Sequence, residues 1–499
     1  MKKVIEQFER MCEKQYFPLI LALIAFSFLS VFSWSTSPFF THDGMDSAVF
    51  KTMGQALLKG KVLYRDIFDH KGPYLYFINA LGQWLIHGRT GIFLLQVISL
   101  SIALCYMFNT AKLFIKPFLS LICLLLALIF FGGHIQEGNQ CEEWMMYTIC
   151  ISFYYVCFYF AKKSSYDHPL HYSFIYGLCF GFSFFIRPND AVAWFGGIMM
   201  GVALWLLYQK KYRNAILNTL CFLSGFIVMA IPVLIYFGYY NAIPDMWYGL
   251  VGFNQEYSGG ILNLIQSCFE KNKPFLILIY AIFIWLIYDT GYEKLLFVIT
   301  PAYGAAVLLM GTAMFLHYSI CFVPFCLLFL TFFFLKSQKT YWTIAVFCIL
   351  LHFSAYYKGQ FAVSPSVMKW NRTGQQAVYK QAKHLFAHIP ESEKDSIWNY
   401  GLCWEGHNGG GGLQSEFSVF CHSEIVPCNK ITIGKNERLE SEDMISTHRP
   451  KWILLQPTQP TGWFNRKTFP ADSLFIASHY DVIAQSDTTI CKLTLYKRR

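Results

Sequence analysis

From Thr41 to Pro73 the chain reads THDGMDSAVFKTMGQALLKGKVLYRDIFDHKGP. Four aspartates (Asp43, Asp46, Asp66 and Asp69) stand there with His42, His70 and Lys71, just after an apolar run. A positioned carboxylate can take a proton from a hydroxyl as it attacks, and Asp46 is the candidate general base. Asp43 is the second catalytic candidate; it could instead be solvated or bind a metal. Carboxylate oxygens suit Mg²⁺ or Mn²⁺, usually with a phosphate completing the shell, so Asp43 and Asp46 are also the candidate metal ligands. A blander reading makes Asp46 the N-cap of an amphipathic helix lying in the membrane plane.

Further polar groups punctuate the apolar chain. Arg65, Asp69, His70 and Lys71 precede Gly72-Pro73, which suits a sharp entry into a helix. Arg65 and Lys71 could neutralise a lipid phosphate or pair with Asp66 and Asp69. Glu137, Asn139, Glu142 and Glu143 crowd the start of another apolar run, where acidic residues also complement a helix dipole. Arg187, in the sequence Arg-Pro-Asn-Asp, could grip phosphate with paired donors or snorkel to the interface. His317 and Tyr318 open a late apolar run as interfacial anchors or as contacts to a sugar or diphosphate. The glycines of HNGGGG at 407–412 have no strand-loop-helix context and no Lys-Ser/Thr pair, so they make no phosphate loop.

These residues need a scaffold, and composition says which. Of 499 residues 55% are hydrophobic and only 14% charged, against about 25% charged in a soluble domain. Long uncharged runs recur up to residue 356 and then stop. The fold class is therefore a polytopic α-helical membrane protein with a small polar α/β domain at its C-terminus. The net charge of +10 falls largely in short loops between apolar runs, where it is a topology signal and no nucleic-acid footprint.

Lys2, Lys3, Arg10 and Lys14 place residues 1–16 in the cytoplasm, before an uncleaved first span at Phe17–Trp34. Tyr74–Gly88 is short for a span of about 20 residues and is interrupted by Asn79 and Gln83, so it is expected to lie in the interface. With that choice Lys162/Lys163, Lys210/Lys211/Arg213, Lys294 and Lys336/Lys339 all fall inside, and the hydropathy pattern gives about eleven spans. The expected domains are a transmembrane unit over 17–356, with a first outer loop at 35–90 carrying interfacial helices, and an extracytoplasmic unit over 357–499. Every polar constellation then faces the outer side. Cys403, Cys421, Cys428 and Cys491 lie in the outer unit, where disulfides could form. In that unit Asn371–His388 reads as a helix, and Lys451–Gln456 and Thr488–Lys497 as strands.

Over roughly residues 17–335 the chain resembles the GT-C membrane glycosyltransferases, in particular bacterial relatives of protein O-mannosyltransferases and lipid A aminoarabinose transferases of the glycosyltransferase 39-like group. The resemblance rests on Asp46 with ALLKG, YRDIFDHKGPYLYFINALGQWLIHG, GNQCEEW, GFSFFIRPND and a late His-Tyr at a span start. It implies transfer of one sugar from a polyprenyl-phosphate donor to an envelope glycan, lipid or protein acceptor at the outer face of a bacterial inner membrane. It also implies that Asp46 is the base. Many relatives carry Asp-Glu where this chain has Asp46-Ser47, which leaves Asp43 as a substitute for the missing glutamate. Arg65, Lys71 and Arg187 would meet the donor phosphate. A transporter or flippase of lipid-linked glycans is the rival class, but it should place polar groups near mid-membrane and carry paired repeats. An oligosaccharide ligase or polymerase would share the donor type but move a preassembled chain.

Overall fold

The computed structural model describes residues 2–40, 45–66, 69–135, 138–254, 273–309, 316–336, 384–393, 397–400, 450–455, 469–486 and 493–499. A polar helix, α1 (Lys2–Cys12), precedes α2 (Phe17–Phe32), α3 (Met45–Leu58), α4 (Pro73–Leu85), α5 (Thr90–Lys112), α6 (Pro117–His134), α7 (Cys141–Phe158), α8 (Leu170–Phe184), α9 (Pro188–Ala191), α10 (Gly197–Tyr208) and α11 (Tyr212–Tyr239), the longer of which follow the apolar runs. Further helices cover Lys273–Asp289, Leu296–Leu309 and Val323–Lys336. Proline sits in the first turn of α2, α4, α6 and α9, where its missing N–H needs no partner.

The chain is a multi-pass integral membrane protein. Among the described residues six helical stretches are long and apolar enough to span: Thr90–Lys112, Pro117–His134, Cys141–Lys163, Pro188–Tyr208, Tyr212–Tyr239 and His317–Lys336. The sequence pattern gives about eleven spans, and part of the difference has a local cause. The expected span His171–Ile186 is the 15-residue α8; it stops because Arg187, preceding Pro188, is extended at φ −152°. Phe17–Phe32 is apolar but only 16 residues long. The expected last span, Tyr341–Tyr356, and the 356/357 boundary lie outside the described residues.

Without a hydrophobic driving force between helices in lipid, close backbone packing holds them together. α8 and α11 meet at Gly177 and Gly225, where an added Cβ would fall 2.0 Å from the Phe222 oxygen and 2.3 Å from the Phe174 oxygen. Around α7 the core is aromatic. Phe153 meets Trp194 and Phe325 edge-on, and Trp194 meets Phe322 the same way. The spans Cys141–Lys163 and His317–Lys336 are each 67% buried against 22% for Tyr212–Tyr239, which places α7 and the helix at Val323–Lys336 inside the bundle and α11 at its edge.

In the tail a four-stranded sheet runs in the order β1-β2-β4-β3, with β1 (Ile397–Tyr400), β2 (Trp452–Leu455), β3 (Tyr480–Gln485) and β4 (Thr494–Arg498). β1 and β2 are parallel, and the other pairs are antiparallel. β2 falls within the expected strand at Lys451–Gln456, and β4 overlaps the one at Thr488–Lys497. Most of the expected helix Asn371–His388 and all four tail cysteines lie outside the described residues.

Candidate active site

The loop that ends at Pro73 is stitched to the exit of α8. Gly72 N–H donates to the Ile186 oxygen at 2.8 Å, and Tyr74 N–H to the Phe185 oxygen at 2.9 Å. This pairing brings Lys71 beside Arg187. It admits no side chain at Gly72, where a Cβ would stand 2.1 Å from the Phe185 oxygen. Gly72 has an ordinary φ of −75°, so the constraint is steric. Gly72→Ala is expected to destabilise the protein by about 1–3 kcal/mol, as overpacking does, and to separate Lys71 from Arg187. Thermal unfolding of the purified variant measures the first effect; an unchanged midpoint would mean that this contact is loose.

Arg187 occupies the short turn between α8 and α9. Its Nη1 pairs with Glu142 Oε1, its Nε lies 3.2 Å from Asp190 Oδ2, and its guanidinium carbon sits 4.0 Å above the centre of the Tyr318 ring. The side chain does not snorkel: it is 17% exposed and held by two carboxylates and a ring. Burial would push the guanidinium down, but Asp190, Tyr318, Cys141 and Cys321 hold it above its ordinary range. Tyr318 comes from the 3₁₀ segment Leu316–Phe322, which also buries His317.

Asp46 lies in the first turn of α3, one residue inside the helix start at Met45, so it is not the N-cap. It is partly buried. Burial raises its pKa; Lys71 opposes that, Asp69 adds to it, and His70 and Arg187 also oppose it. Lys71 is partly open as well. Burial works against its ammonium, yet Cys141, Asp69 and Asp46 raise its pKa. Asp69 and His70 lie behind it, 6% and 7% exposed. Burial pushes Asp69 up, but His70, Lys71 and Tyr76 hold it well below the usual carboxylate range. Its Oδ2 accepts from the Tyr76 hydroxyl at 2.7 Å.

Glu143 and Asn139 are fully buried and turned inward. Glu143 Oε1 accepts from Gln96 at 2.8 Å and Tyr147 at 2.6 Å, while Oε2 accepts the N–H groups of Asn139 at 2.8 Å and Gln140 at 3.4 Å. These last two bonds satisfy donors at the start of α7. Asn139, at φ +62°, exchanges hydrogen bonds with Asn79, donates to Ser47 Oγ at 3.1 Å and accepts from Trp144 Nε1. The network thus ties Ser47, and with it the start of α3, to α4 and α7.

The structure therefore gathers Asp46, Asp69, His70, Lys71, Arg187, His317 and Tyr318 from four chain segments. It puts Asn139 and Glu143 behind them as supports rather than at a ligand. Arg65 stands apart: it is half exposed, paired with Asp66 at 3.0 Å and bonded to the Tyr240 oxygen. Asp43 and Glu137 lie outside the described residues. Among the described residues no three His, Cys, Asp or Glu side chains converge as metal ligands. Glu142, grouped from sequence with Glu137, Asn139 and Glu143, pairs with Arg187, whereas Asp190, Tyr76 and Gln96 were not singled out as site residues from sequence. Tyr76 and Gln96 had one available signal, a polar atom inside an apolar helix.

The fold agrees with solved structures across nearly its whole length. ArnT from Cupriavidus metallidurans in the apo state matches with a TM-score of 0.56 and 10% identity, over 96% of this chain and 97% of that one. The same protein bound to undecaprenyl phosphate matches at 0.52 and 10% identity, with the same shares covered. The fold is GT-C. An Archaeoglobus fulgidus oligosaccharyltransferase in complex with Zn and sulfate matches at 0.50 and 12% identity, over 94% of this chain and 79% of that one. No family model and no curated protein matches the chain.

Proposed function

We propose that the protein transfers a sugar from a polyprenyl-phosphate carrier to an envelope glycan, lipid or protein acceptor at the outer face of a bacterial inner membrane. The observation that carries this reading is the juxtaposition of a partly open carboxylate, Asp46, with a partly open ammonium, Lys71, beside the Arg187 guanidinium. The presence of undecaprenyl phosphate in the ArnT structure of the same fold supports a carrier of that chemical class.

In the proposed reaction the acceptor oxygen attacks the anomeric carbon. Asp46 takes the hydroxyl proton, the new C–O bond forms, and the bond to the phosphate oxygen breaks with its electron pair going to phosphate. The leaving group gains a negative charge, and Lys71 meets it where that charge grows. Arg187, already committed to Glu142 and Asp190, adds its remaining N–H donors. Direct displacement inverts the anomeric centre.

Because Asp46 works only when deprotonated, the rate falls as pH drops through its pKa. Burial displaces that pKa above the ordinary carboxylate value of about 3.9. A pH profile of kcat/KM with an acid limb above this range fits the assignment; a rate that stays flat down to about pH 4 removes Asp46 as base. The activity itself is tested with purified protein in nanodiscs, a panel of radiolabelled polyprenyl-phosphate sugars and crude envelope acceptor. Label in the acceptor is the expected result. Carrier moved between leaflets with no label transferred would favour a flippase.

A further inference from the structure

A circuit of polar contacts begins and ends on Lys71. Its backbone N–H donates to Tyr76 Oη at 3.0 Å, and the Tyr76 hydroxyl donates to Asp69 Oδ2 at 2.7 Å. Asp69 Oδ1 stands 3.2 Å from His70 Nδ1, an electrostatic contact rather than a hydrogen bond, and His70 Nε2 lies 2.7 Å from Lys71 Nζ. An ammonium only donates, so Nε2 accepts, and the hydrogen of the neutral ring sits on Nδ1, the nitrogen beside the negative charge of Asp69. The backbone is pinned on both sides. The Tyr64 hydroxyl donates to the Lys71 oxygen at 2.6 Å, and Asn254 Nδ2 to the His70 oxygen at 3.1 Å.

We propose that His70 is a positioning residue: its Nδ1-protonated ring accepts from Lys71 and aims the ammonium at the carrier phosphate, with Asp69 and Tyr76 fixing the tautomer. This rests on the reading above that Lys71 meets that phosphate. His70 is buried where Lys71 is partly open, so it acts through the lysine. The groups facing it are Asp69 and Lys71 on its own loop, Phe253 with ring centres 5.2 Å apart, Asn254 at its carbonyl, and the charge of Arg187. Burial first, and Lys71 and Arg187 with it, push the imidazole below its ordinary pKa against the pull of Asp69. The ring therefore stays neutral at neutral pH, as an acceptor must. A lysine on a four-carbon stem otherwise samples many rotamers, and this contact selects one.

The test is equilibrium binding of undecaprenyl phosphate to the full chain in nanodiscs, with undecaprenol as the phosphate-free control. His70→Phe keeps a flat ring but removes the acceptor, and is expected to weaken phosphate binding by about tenfold or more. His70→Gln returns an acceptor oxygen and is expected to recover much of the loss. In a Lys71→Ala background His70→Phe is expected to add nothing, since both act on one contact. Asp69→Asn, which unsettles the tautomer, is the second probe should His70→Phe fail to fold. Equal binding by wild type and well-folded His70→Phe, or full binding by Asp69→Asn if only that variant folds, overturns the positioning role while leaving the proposed function standing. Loss of binding in His70→Gln equal to that in His70→Phe also overturns it, as the effect would be one of shape. A wild type that prefers undecaprenol, or binds both lipids equally, overturns the functional reading and this inference together.

Discussion

Asp46→Asn is expected to lower the rate of sugar transfer by about 10²–10⁴-fold, the range that a general base contributes, while leaving the fold intact. The side chain is partly exposed in the first turn of α3, and asparagine keeps its shape and its hydrogen-bonding reach. What it loses is the capacity to take a proton. The carrier should still bind, because Lys71 and Arg187 are untouched; removing a carboxylate from beside them could even tighten it. The measurement is single-turnover transfer at saturating carrier, paired with a thermal midpoint. Activity retained within a factor of about two would move the base elsewhere, to Asp43 or Asp69.

Arg187→Leu should act on stability as well as on chemistry. Its removal leaves Glu142, 2% exposed, and Asp190, 7% exposed, without the cation that offsets them. Breaking a buried pair in this way typically destabilises by about 3–5 kcal/mol. The double variant Arg187→Leu/Glu142→Leu removes one stranded charge along with its partner and should regain part of that stability. It should not regain transfer, because the phosphate still lacks its second cation. Thermal unfolding and transfer, measured on the same preparations, separate the two roles. A single variant as stable as wild type would show that solvent reaches this ion pair freely. A double variant with full activity would take Arg187 out of the chemistry.

Much of this arrangement was legible in the sequence because charge beside a bilayer has few uses. Asp46, Lys71 and Arg187 are conspicuous against apolar runs, and the structure brings them together. Arg65 was equally conspicuous, yet its guanidinium turns to the adjacent Asp66 and to the Tyr240 oxygen. No spacing rule distinguishes a cation that pairs locally from one that faces a ligand. Glu143 and Asn139 share the difficulty in reverse. Their residue types suit a ligand, but the left-handed turn at Gly138 and Asn139 points them into the protein, where Gln96, Tyr147, Asn79 and Ser47 use up their hydrogen-bonding capacity. Those partners lie up to 92 positions away along the chain, and only tertiary packing brings them together. The end of α8 was blurred for a similar reason: hydropathy runs on through Phe185 and Ile186, while the extended residue before Pro188 ends the helix.

The central claim is that one cavity holds both the base and the cations for a carrier phosphate. The most direct measurement is an experimental structure of the nanodisc-embedded protein with undecaprenyl phosphate bound. The account predicts phosphate oxygens about 3 Å from Lys71 Nζ, within reach of the Arg187 guanidinium, and on the side of the cluster that Asp46 faces. A phosphate seated elsewhere, out of reach of Lys71 Nζ and with Asp46 far from the carrier, would contradict it.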